Sequence, residues 1–247
     1  YWALNKVNPD GYRSNLPSLT DLPLCFATHR AFEGKLNPTD ALSKLYNLLS
    51  QDFLYPEPLR NVIFLDNHDM TRFYTQTGKS LDAYKMGLSF IMTTRGIPQL
   101  YYGSEIVMEG DKSRGDGWLR EDFPGGWPGD TKSVIAGTGL SEQEKEALEF
   151  TKQILNWRKA KEVIHTGKLK HYIPNDGLYV YFRYNYKESV MVVINLNDTE
   201  SKTVPGGKYA ESLEGFTAGK EIISGKEIES LDSFTIAPKT AMIIELK

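Results

Sequence analysis

The sequence predicts an α/β region built on parallel strands, followed by an all-β region that forms an antiparallel sandwich. Short apolar runs alternate with longer stretches of helical period between residues 21 and 95, which is the pattern of βα units. From about Lys168 onward, apolar residues recur at every second position, as in antiparallel strands. Because the period changes near Gly167, we place a domain boundary between residues 1–167 and residues 168–247.

The first βα unit consists of a predicted strand over residues 22–27 and the helix that follows it. The helix is expected to begin at Asn37, a capping residue, because Pro38 then takes the first helical position and Asp40 the first turn. Apolar residues recur on one face of this helix at Leu42, Leu45, Leu49 and Phe53.

The second and third units repeat the order of strand and helix. Residues 61–66 form a nearly continuous apolar run, as expected for a strand whose two faces are both covered. The helix after it is expected from Ser80, with an inner stripe of Leu81, Tyr84, Leu88 and Ile91. Residues 97–102 are the third predicted strand, and a long loop rich in glycine, aspartate and tryptophan follows it.

A further helix is predicted to run to about residue 161. Ser141 and Glu144 have the spacing of a capping box at its start. The residues that it is expected to turn inward are Ala147, Ile154 and Leu155.

The last 80 residues or so read as an antiparallel sandwich. Residues 178–186 and 189–196 alternate or are continuously apolar, and the two residues between them predict a β-hairpin. Short runs at residues 221–223, 233–236 and 241–246 are expected to complete the fold.

Charge and hydropathy limit the partners that this chain can have. Its 29 basic and 32 acidic residues leave a net charge of −3 with no long basic run, so a nucleic-acid partner is not expected. The longest apolar run is far shorter than a membrane span, so no membrane partner is expected either. The single cysteine, Cys25, is interpreted as a small core residue.

Three parallel strands cannot form a complete sheet of this class. A closed barrel needs eight strands and typically about 250 residues. An open sheet of three strands would leave long apolar edges unpaired. We therefore expect neighbouring strands to come from polypeptide outside this sequence, which opens on Tyr1 and not on methionine.

Polar side chains follow the second predicted strand at its carboxyl end. Asn67, His68 and Asp69 come directly after the apolar run. Active sites lie at the carboxyl ends of strands in parallel α/β folds. The same three residue types also form ordinary turns after strands, and spacing alone does not decide between the two interpretations.

The residues themselves point to a known family. The segment F-L-D-N-H-D-M-T-R at residues 64–72 resembles the fourth conserved segment of the α-amylase family, glycoside hydrolase family thirteen. The segment at residues 96–105, which runs from Gly-Ile-Pro to Gly-Ser-Glu, is similar to the eighth-strand segment of that family. Residues 12–24 and 122–127 resemble segments of the neopullulanase and cyclomaltodextrinase branch.

This resemblance implies a fold and roles for individual residues. The fold would be strands six to eight of a TIM-type (β/α)8 barrel followed by the C-terminal β-sandwich domain. Asp69 matches the third catalytic carboxylate, which binds ring hydroxyls of the sugar at the cleavage point, and His68 matches a histidine that hydrogen-bonds the same sugar. Asn67 is expected to orient these neighbours. Hydroxyl contacts that tighten as the sugar ring changes shape lower the barrier to cleavage.

The resemblance also implies what this chain lacks. Retaining glycosidases cleave with a nucleophile and an acid/base carboxylate about 5 Å apart. In the family both lie on earlier strands, and no segment here matches them. We therefore expect part of a retaining α-glucan hydrolase that is inactive alone, with α-glucan and the N-terminal barrel half as its partners. The alternative is a non-catalytic glucan-binding or structural piece.

The loop at residues 110–130 is a second candidate for sugar binding. In related enzymes an Asp-x-x-x-Arg pair in this loop contacts sugars further from the cleavage point, and here Asp116 and Arg120 have that spacing. The flat faces of Trp118 and Trp127 suit pyranose rings. The alternative is a solvated loop whose tryptophans cover the rim of the barrel.

Other groups near these motifs have plainer interpretations. Glu105 and Tyr101 could border the site, but we favour an ion pair between Glu105 and Arg72. The histidines supply no metal-ligand spacing, so no metal ligand and no cofactor is assigned to this chain. Calcium is frequent in the family and would be held by upstream residues. The compartment stays open, with periplasmic or secreted favoured over cytoplasmic.

Overall fold

The computed structural model describes residue 7 and residues 9–13, 15–16 and 18–247. Within these residues, a mostly helical α/β part is followed by an antiparallel β part. The helices are α1 (Leu22–Phe32), α2 (Pro38–Leu49), α3 (Phe73–Gln76), α4 (Leu81–Thr93), α5 (Asp116–Leu119), α6 (Glu142–Lys159), α7 (Glu162–Thr166) and α8 (Ala210–Leu213). No helix among the described residues is long and apolar enough to cross a membrane.

The parallel strands are short and lie next to each other. β1 (Val62–Phe64) pairs in parallel with β2 (Ile97–Gln99), and Thr20 forms a parallel bridge to Val62 on the other side of β1. The strands predicted over residues 61–66 and 97–102 are therefore confirmed, although each is shorter than expected. The described residues supply three neighbouring parallel positions, which do not close into a barrel.

The prediction of a strand over residues 22–27 is wrong, because this segment is the first half of α1. The Asp21 carboxylate caps that helix by accepting a hydrogen bond from the backbone N–H of Leu24 (3.0 Å), and Pro23 lies in the first turn. A run of six apolar residues does not distinguish a strand from a buried helix. The residue that pairs in parallel with β1 is Thr20, which lies just before α1.

The other helix starts agree with their capping signals. The Asn37 side chain accepts a hydrogen bond from the Asp40 backbone N–H (2.9 Å), and the Ser80 hydroxyl accepts one from the Ala83 N–H (3.2 Å). Ser141 and Glu144 form the predicted capping box, with bonds of 3.2 and 2.8 Å.

Two positions predicted to face inward are exposed instead. Phe53 lies beyond the end of α2, in a 3-10 turn at Asp52–Leu54, so the helical period no longer places it on the buried face. Leu155 lies next to Ile154 on α6, and only Ile154 is buried. Consecutive residues on a helix point about 100° apart, so a narrow contact surface buries one and exposes the other.

The C-terminal part is built on a six-stranded antiparallel sheet with a smaller sheet beside it. The hairpin predicted from the sequence is confirmed as β4 and β5, which pair over seven residues. The six-stranded sheet has the order β3-β4-β5-β10-β7-β8, and β6 pairs with β9 in the second sheet. The strands are β3 (Lys168–His171), β4 (Leu178–Tyr184), β5 (Ser189–Asn195), β6 (Lys202–Pro205), β7 (Gly219–Glu221), β8 (Glu227–Ile228), β9 (Ser233–Ile236) and β10 (Thr240–Leu246).

The later strands agree only in part with the short runs predicted for them. β9 and β10 cover the runs at residues 233–236 and 241–246. The run at residues 221–223 was misplaced, since β7 ends at Glu221, whose carboxylate then accepts the backbone N–H groups of Ile223 and Ser224 in a turn.

The six-stranded sheet is covered on both faces. One face, which includes Tyr179, Tyr181 and Val192, packs into the same core as the helices of the α/β part. The opposite face, which includes Val180 and Phe182, packs under the β6–β9 sheet. Both faces of β4 and β5 are therefore apolar, which explains why these strands read as nearly continuous apolar runs.

Candidate active site

Asp66 is a buried carboxyl group directly after β1. Its Oδ2 accepts a hydrogen bond from the backbone N–H of Phe73 at the start of α3 (2.7 Å), and its Oδ1 accepts one from the Ser104 hydroxyl (3.1 Å). Burial raises the pKa of the Asp66 carboxyl above its usual range. The two bonds close the loop of residues 67–72 and join it to the segment after β2.

This loop carries the three residues predicted after the strand. The side-chain oxygen of Asn67 accepts a hydrogen bond from the backbone N–H of Asp69 (2.9 Å), which is an Asx turn. The side chains of His68 and Asp69 are 60% and 62% exposed, and Nε2 of His68 lies 3.2 Å from Oδ2 of Asp69. The imidazole and the carboxylate are thus presented to solvent as one polar pair.

The loop after β2 brings a second set of predicted residues to this pair. Arg120 donates from one terminal guanidinium nitrogen to Asp69 Oδ1 (2.9 Å) and to Asp116 Oδ2 (3.3 Å). Its Nε also donates to the backbone carbonyl of His68 (3.1 Å). The structure therefore brings together two segments that lie about fifty residues apart in the sequence.

Lys112 belongs to the same cluster, although the sequence analysis did not single it out. Its ammonium group pairs with Asp116, four residues further along the chain. This hydrogen bond lowers the pKa of the Asp116 carboxyl below its usual range. Two cations and two carboxylates thus alternate at the surface of the site, and Arg120 joins the two carboxylates.

Trp118 is not part of that ionic cluster. It lies on α5, is half-buried, and the Arg114 guanidinium covers its ring at 3.3 Å from the ring centroid. One face of the indole is therefore occupied by a side chain of the same loop.

Arg72 is a fully buried residue that holds the two loops together. It donates to the backbone carbonyls of Tyr102 (2.7 Å) and Leu119 (3.0 Å), and its guanidinium lies over the Tyr101 ring at 4.4 Å. The predicted ion pair between Arg72 and Glu105 is wrong, because backbone carbonyls of the folded loops take the guanidinium hydrogen bonds instead. The position of Arg72 at the end of the segment of residues 64–72 was the sequence signal for a role near the site.

Helix α1 contacts the chain where β1 ends, at Leu65. His29 and Cys25 both direct a side-chain atom to the Leu65 carbonyl, at 2.5 Å from Nε2 and 3.4 Å from Sγ. Burial lowers the pKa of the His29 imidazole and raises the pKa of the Cys25 thiol to about 12. A thiol with that pKa is not a nucleophile at neutral pH, so both side chains act as structural groups.

In the part of the chain that the structure describes, no group of three or more histidine, cysteine, aspartate or glutamate side chains is arranged to hold a metal ion. The acidic residues of the site pair with Arg120 and Lys112 instead.

Comparison with known families identifies the architecture around this cluster. Residues 18–124 match the catalytic domain of α-amylases, and residues 169–245 match the C-terminal domain of cyclomaltodextrinases. Both matched segments are typical of the α-amylase family. The predicted site residues inside the segment that matches the α-amylase catalytic domain are Asn67, His68, Asp69, Asp116, Trp118 and Arg120, and Trp127 lies three residues beyond it.

Curated relatives of this chain are much longer than it is. It is 27% identical over 233 residues to the cyclomaltodextrin glucanotransferase of Bacillus licheniformis, a match that covers 90% of this chain and 30% of that enzyme. It is 32% identical over 158 residues to α-amylase 3 of Dictyoglomus thermophilum, which covers 57% of this chain and 31% of the relative. The chain thus spans about three tenths of the length of these relatives.

Solved structures of the family share the fold. The α-amylase of Geobacillus thermoleovorans, determined in complex with acarbose, aligns with a TM-score of 0.72 at 21% identity over 94% of this chain and 48% of its own. A cyclic α-maltosyl-(1→6)-maltose hydrolase from Arthrobacter globiformis aligns with a TM-score of 0.67 at 13% identity over 99% of this chain and 47% of its own. The arrangement of α/β part and β-sheet part is therefore that of the family.

Proposed function

We propose that this chain supplies the third catalytic carboxylate and the C-terminal domain of a retaining α-glucan hydrolase. The observation that carries the proposal is the position of Asp69, an exposed carboxylate at the carboxyl end of a parallel strand. His68 and Arg120 lie 3.2 and 2.9 Å from its two oxygens. The longer relatives include α-amylases and cyclomaltodextrin glucanotransferases, which supports α-linked glucose oligomers or polymers as the substrate class.

Asp69 is suited to binding sugar hydroxyl groups. An ionised carboxylate offers about four lone-pair sites, and His68 and Arg120 occupy one on each oxygen. The remaining sites can accept two neighbouring hydroxyls of one sugar ring. Because these bonds tighten as the ring flattens and gains charge, they stabilise the transition state more than the ground state.

The Asp116 and Arg120 pair is proposed as a contact for sugars further from the cleavage point, with Trp118 beside it. Arg120 joins Asp116 to Asp69, so a glucan bound by one carboxylate lies within reach of the other. Planar charged groups can bind adjacent hydroxyls in a bidentate manner.

Cleavage itself needs two further carboxylates. In retaining glycosidases the nucleophile and the acid/base lie about 5 Å apart. In the described site the carboxylate joined to Asp69 is Asp116, and the hydrogen bond from Lys112 lowers its pKa, which does not suit a group that must donate a proton. We propose that both groups belong to earlier strands of a (β/α)8 barrel in which Thr20, β1 and β2 take positions six to eight, and that this chain alone does not turn over glucan.

Two further parts of the proposal concern organisation. We place the domain boundary between residues 167 and 168, since α7 ends at Thr166 and β3 begins at Lys168. We also propose that this chain holds no cofactor, and that any calcium of the complete enzyme is bound by upstream residues.

Reducing-sugar release from starch tests the proposal. We expect no turnover by the chain alone and turnover when the upstream polypeptide is joined to it. In that longer protein, Asp69→Asn should lower kcat/KM by at least about a hundredfold. Asp198→Asn is the matched control, because Asp198 is an exposed aspartate of the C-terminal part that pairs with Lys239.

The outcome also decides the alternative function. Substantial turnover by the chain alone would contradict the proposal. If the longer protein is active and Asp69→Asn leaves kcat/KM unchanged, the chain is a non-catalytic glucan-binding or structural part.

A further inference from the structure

Trp127 is a large aromatic side chain that the fold leaves open to solvent. It is 63% exposed, whereas the other tryptophan of the same loop, Trp118, is half-buried under the Arg114 guanidinium. Among the described residues, no aromatic ring or cation stacks on the Trp127 indole. Exposing so much apolar ring surface to water costs free energy, which a bound partner would recover.

The turn that carries Trp127 is held in one conformation. Oδ2 of Asp130 accepts hydrogen bonds from the backbone N–H groups of Gly125 (2.8 Å) and Trp127 (3.1 Å). Gly125 has a positive φ of 96° and packs so closely on Ser133 that a Cβ atom would lie 2.6 Å from the Ser133 Cα. The indole is therefore presented on a preorganised backbone, which reduces the entropy lost on binding.

The loop is also anchored next to the candidate active site. The Tyr102 hydroxyl donates to the carbonyl of Glu121 (2.7 Å), and Arg120 contacts Asp69. Trp127 comes seven positions after Arg120, so their Cα atoms lie at most roughly 25 Å apart. A chain of several glucose units can span that distance.

The chemistry around Trp127 favours a sugar. Its sequence neighbours are Gly126 and Pro128, which place no long side chain beside the ring. The faces of a pyranose carry C–H groups that pack on an aromatic surface, while its hydroxyls stay in water. A helical or flat protein partner would need a broader apolar surface than one ring on a glycine-rich turn.

We propose that Trp127 is a stacking platform for an α-linked glucan chain, separate from the Asp69 cluster and distal to the point of cleavage. The platform binds the part of the substrate that extends along the loop of residues 121–140. This inference rests on the proposed function for the substrate class, but it concerns binding and does not require catalysis. Because only a long glucan reaches Trp127, stacking on its ring gives long glucans a higher affinity than short ones.

The test uses the full chain labelled with ¹⁵N, titrated with maltoheptaose. Each of the four tryptophans contributes one indole N–H resonance, and Trp127→Phe assigns the relevant one by its loss. We expect the Trp127 resonance to shift in a saturable manner with maltoheptaose, and not with the β-linked cellohexaose. Trp127→Ala should raise the dissociation constant for maltoheptaose roughly tenfold, which is the loss of affinity expected for one stacked ring.

Tyr186→Ala is the matched control. Tyr186 is also an exposed aromatic residue on a turn, 88% exposed, but Lys187 lies over its ring at 5.2 Å. We expect its removal to leave the affinity for maltoheptaose unchanged. Because both residues are exposed, neither substitution should alter the urea midpoint of unfolding.

Three results would overturn the inference. One is a Trp127 resonance that does not move with maltoheptaose, and another is an equal response to cellohexaose. The third is a resonance that moves on dilution, which would mean that a second copy of the chain covers the ring. None of these results changes the effect of Asp69→Asn on hydrolysis by the longer protein, so the two proposals fail separately.

Discussion

Two clusters of one arginine and two aspartates lie at opposite ends of the parallel strands. Where β1 and β2 begin, Arg95 is buried, with its side chain 3% exposed, and binds Asp21 (2.6 Å) and Asp52 (2.7 Å). Where β1 ends, Arg120 is 44% exposed and binds Asp69 and Asp116 at 2.9 and 3.3 Å. The residue types are the same, so burial alone separates a structural cluster from one that can bind a ligand.

The physical reason is the cost of desolvation. Charges removed from water need their partners, because an unpaired ion in a low-dielectric interior is strongly unfavourable. Charges at the surface keep their hydration and contribute about 1 kcal/mol or less as a pair. The Arg120 cluster can therefore exchange an ionic bond for a sugar hydroxyl at little cost, whereas the Arg95 cluster cannot.

The largest expected effect follows from breaking the buried cluster. Arg95→Met leaves the carboxylates of Asp21 and Asp52 without their cation, and burial already raises the pKa of the Asp52 carboxyl. We expect the free energy of unfolding to fall by about 3–5 kcal/mol, measured by urea denaturation. A loss below about 1 kcal/mol, equal to that of an exposed arginine, would remove the distinction between the clusters.

A smaller effect is expected from the histidine that supports the end of β1. Burial lowers the pKa of His29 from 6.5, so the unfolded chain binds protons more tightly than the folded chain. The free energy of unfolding should therefore fall as the pH drops from 6.5 through the folded-state pKa. His29→Gln should reduce this slope in urea denaturation at a series of pH values.

A second histidine contributes to the same measurement. His171 is half-buried, and partial burial lowers its pKa as well, so it adds a slope of the same sign and part of the pH dependence remains in His29→Gln. An unchanged slope in His29→Gln would contradict the lowered pKa that burial gives this imidazole.

Substitution of Arg120 in the exposed cluster should change substrate binding and leave the free energy of unfolding nearly unchanged. Arg120→Met is expected to change the free energy of unfolding by less than about 1 kcal/mol. In the longer protein it should raise KM for starch, because it removes the link between Asp69 and Asp116. Arg30→Met, at an exposed position on α1, is the control, and equal KM values for the two variants would argue against a binding role.

The smallest effect concerns a single ion pair within that cluster. Lys112→Gln removes the hydrogen bond that lowers the pKa of the Asp116 carboxyl, so that pKa should rise toward its usual value of 3.8. Carboxyl ¹³C NMR during a pH titration measures this directly. Lys145→Gln removes a similar pair with Glu142 on α6 and should leave Asp116 unaffected.

Local signals predicted most of the regular elements correctly. The caps at Asn37, Ser80 and Ser141 each bond a backbone group three residues away, so the information that starts each helix lies within one turn. The β4–β5 hairpin likewise depends on adjacent segments. The segment of residues 22–27 was predicted wrongly because its helical state depends on packing against β1 as well as on the Asp21 cap.

The candidate site shows the same division between local and distant information. Residues 67–69 were found from the sequence because they adjoin a strand and carry a recognisable motif. The partner predicted for Arg72, Glu105, was wrong, since the guanidinium bonds carbonyls 30 and 47 residues away. A backbone carbonyl has no signature in a sequence, so no pattern could have named those partners.

The sequence by itself determined the resemblance to the α-amylase family, the helix starts marked by caps, the β4–β5 hairpin and the residues that adjoin the end of β1, because each of these depends on interactions over a few positions or on a motif. Only the tertiary structure decided that Arg120 would join Asp69 to Asp116, and that Arg95 would be buried while Arg120 stayed in water. Burial and long-range pairing depend on where distant segments meet. The energetic difference between the two clusters therefore arises from packing and not from residue type.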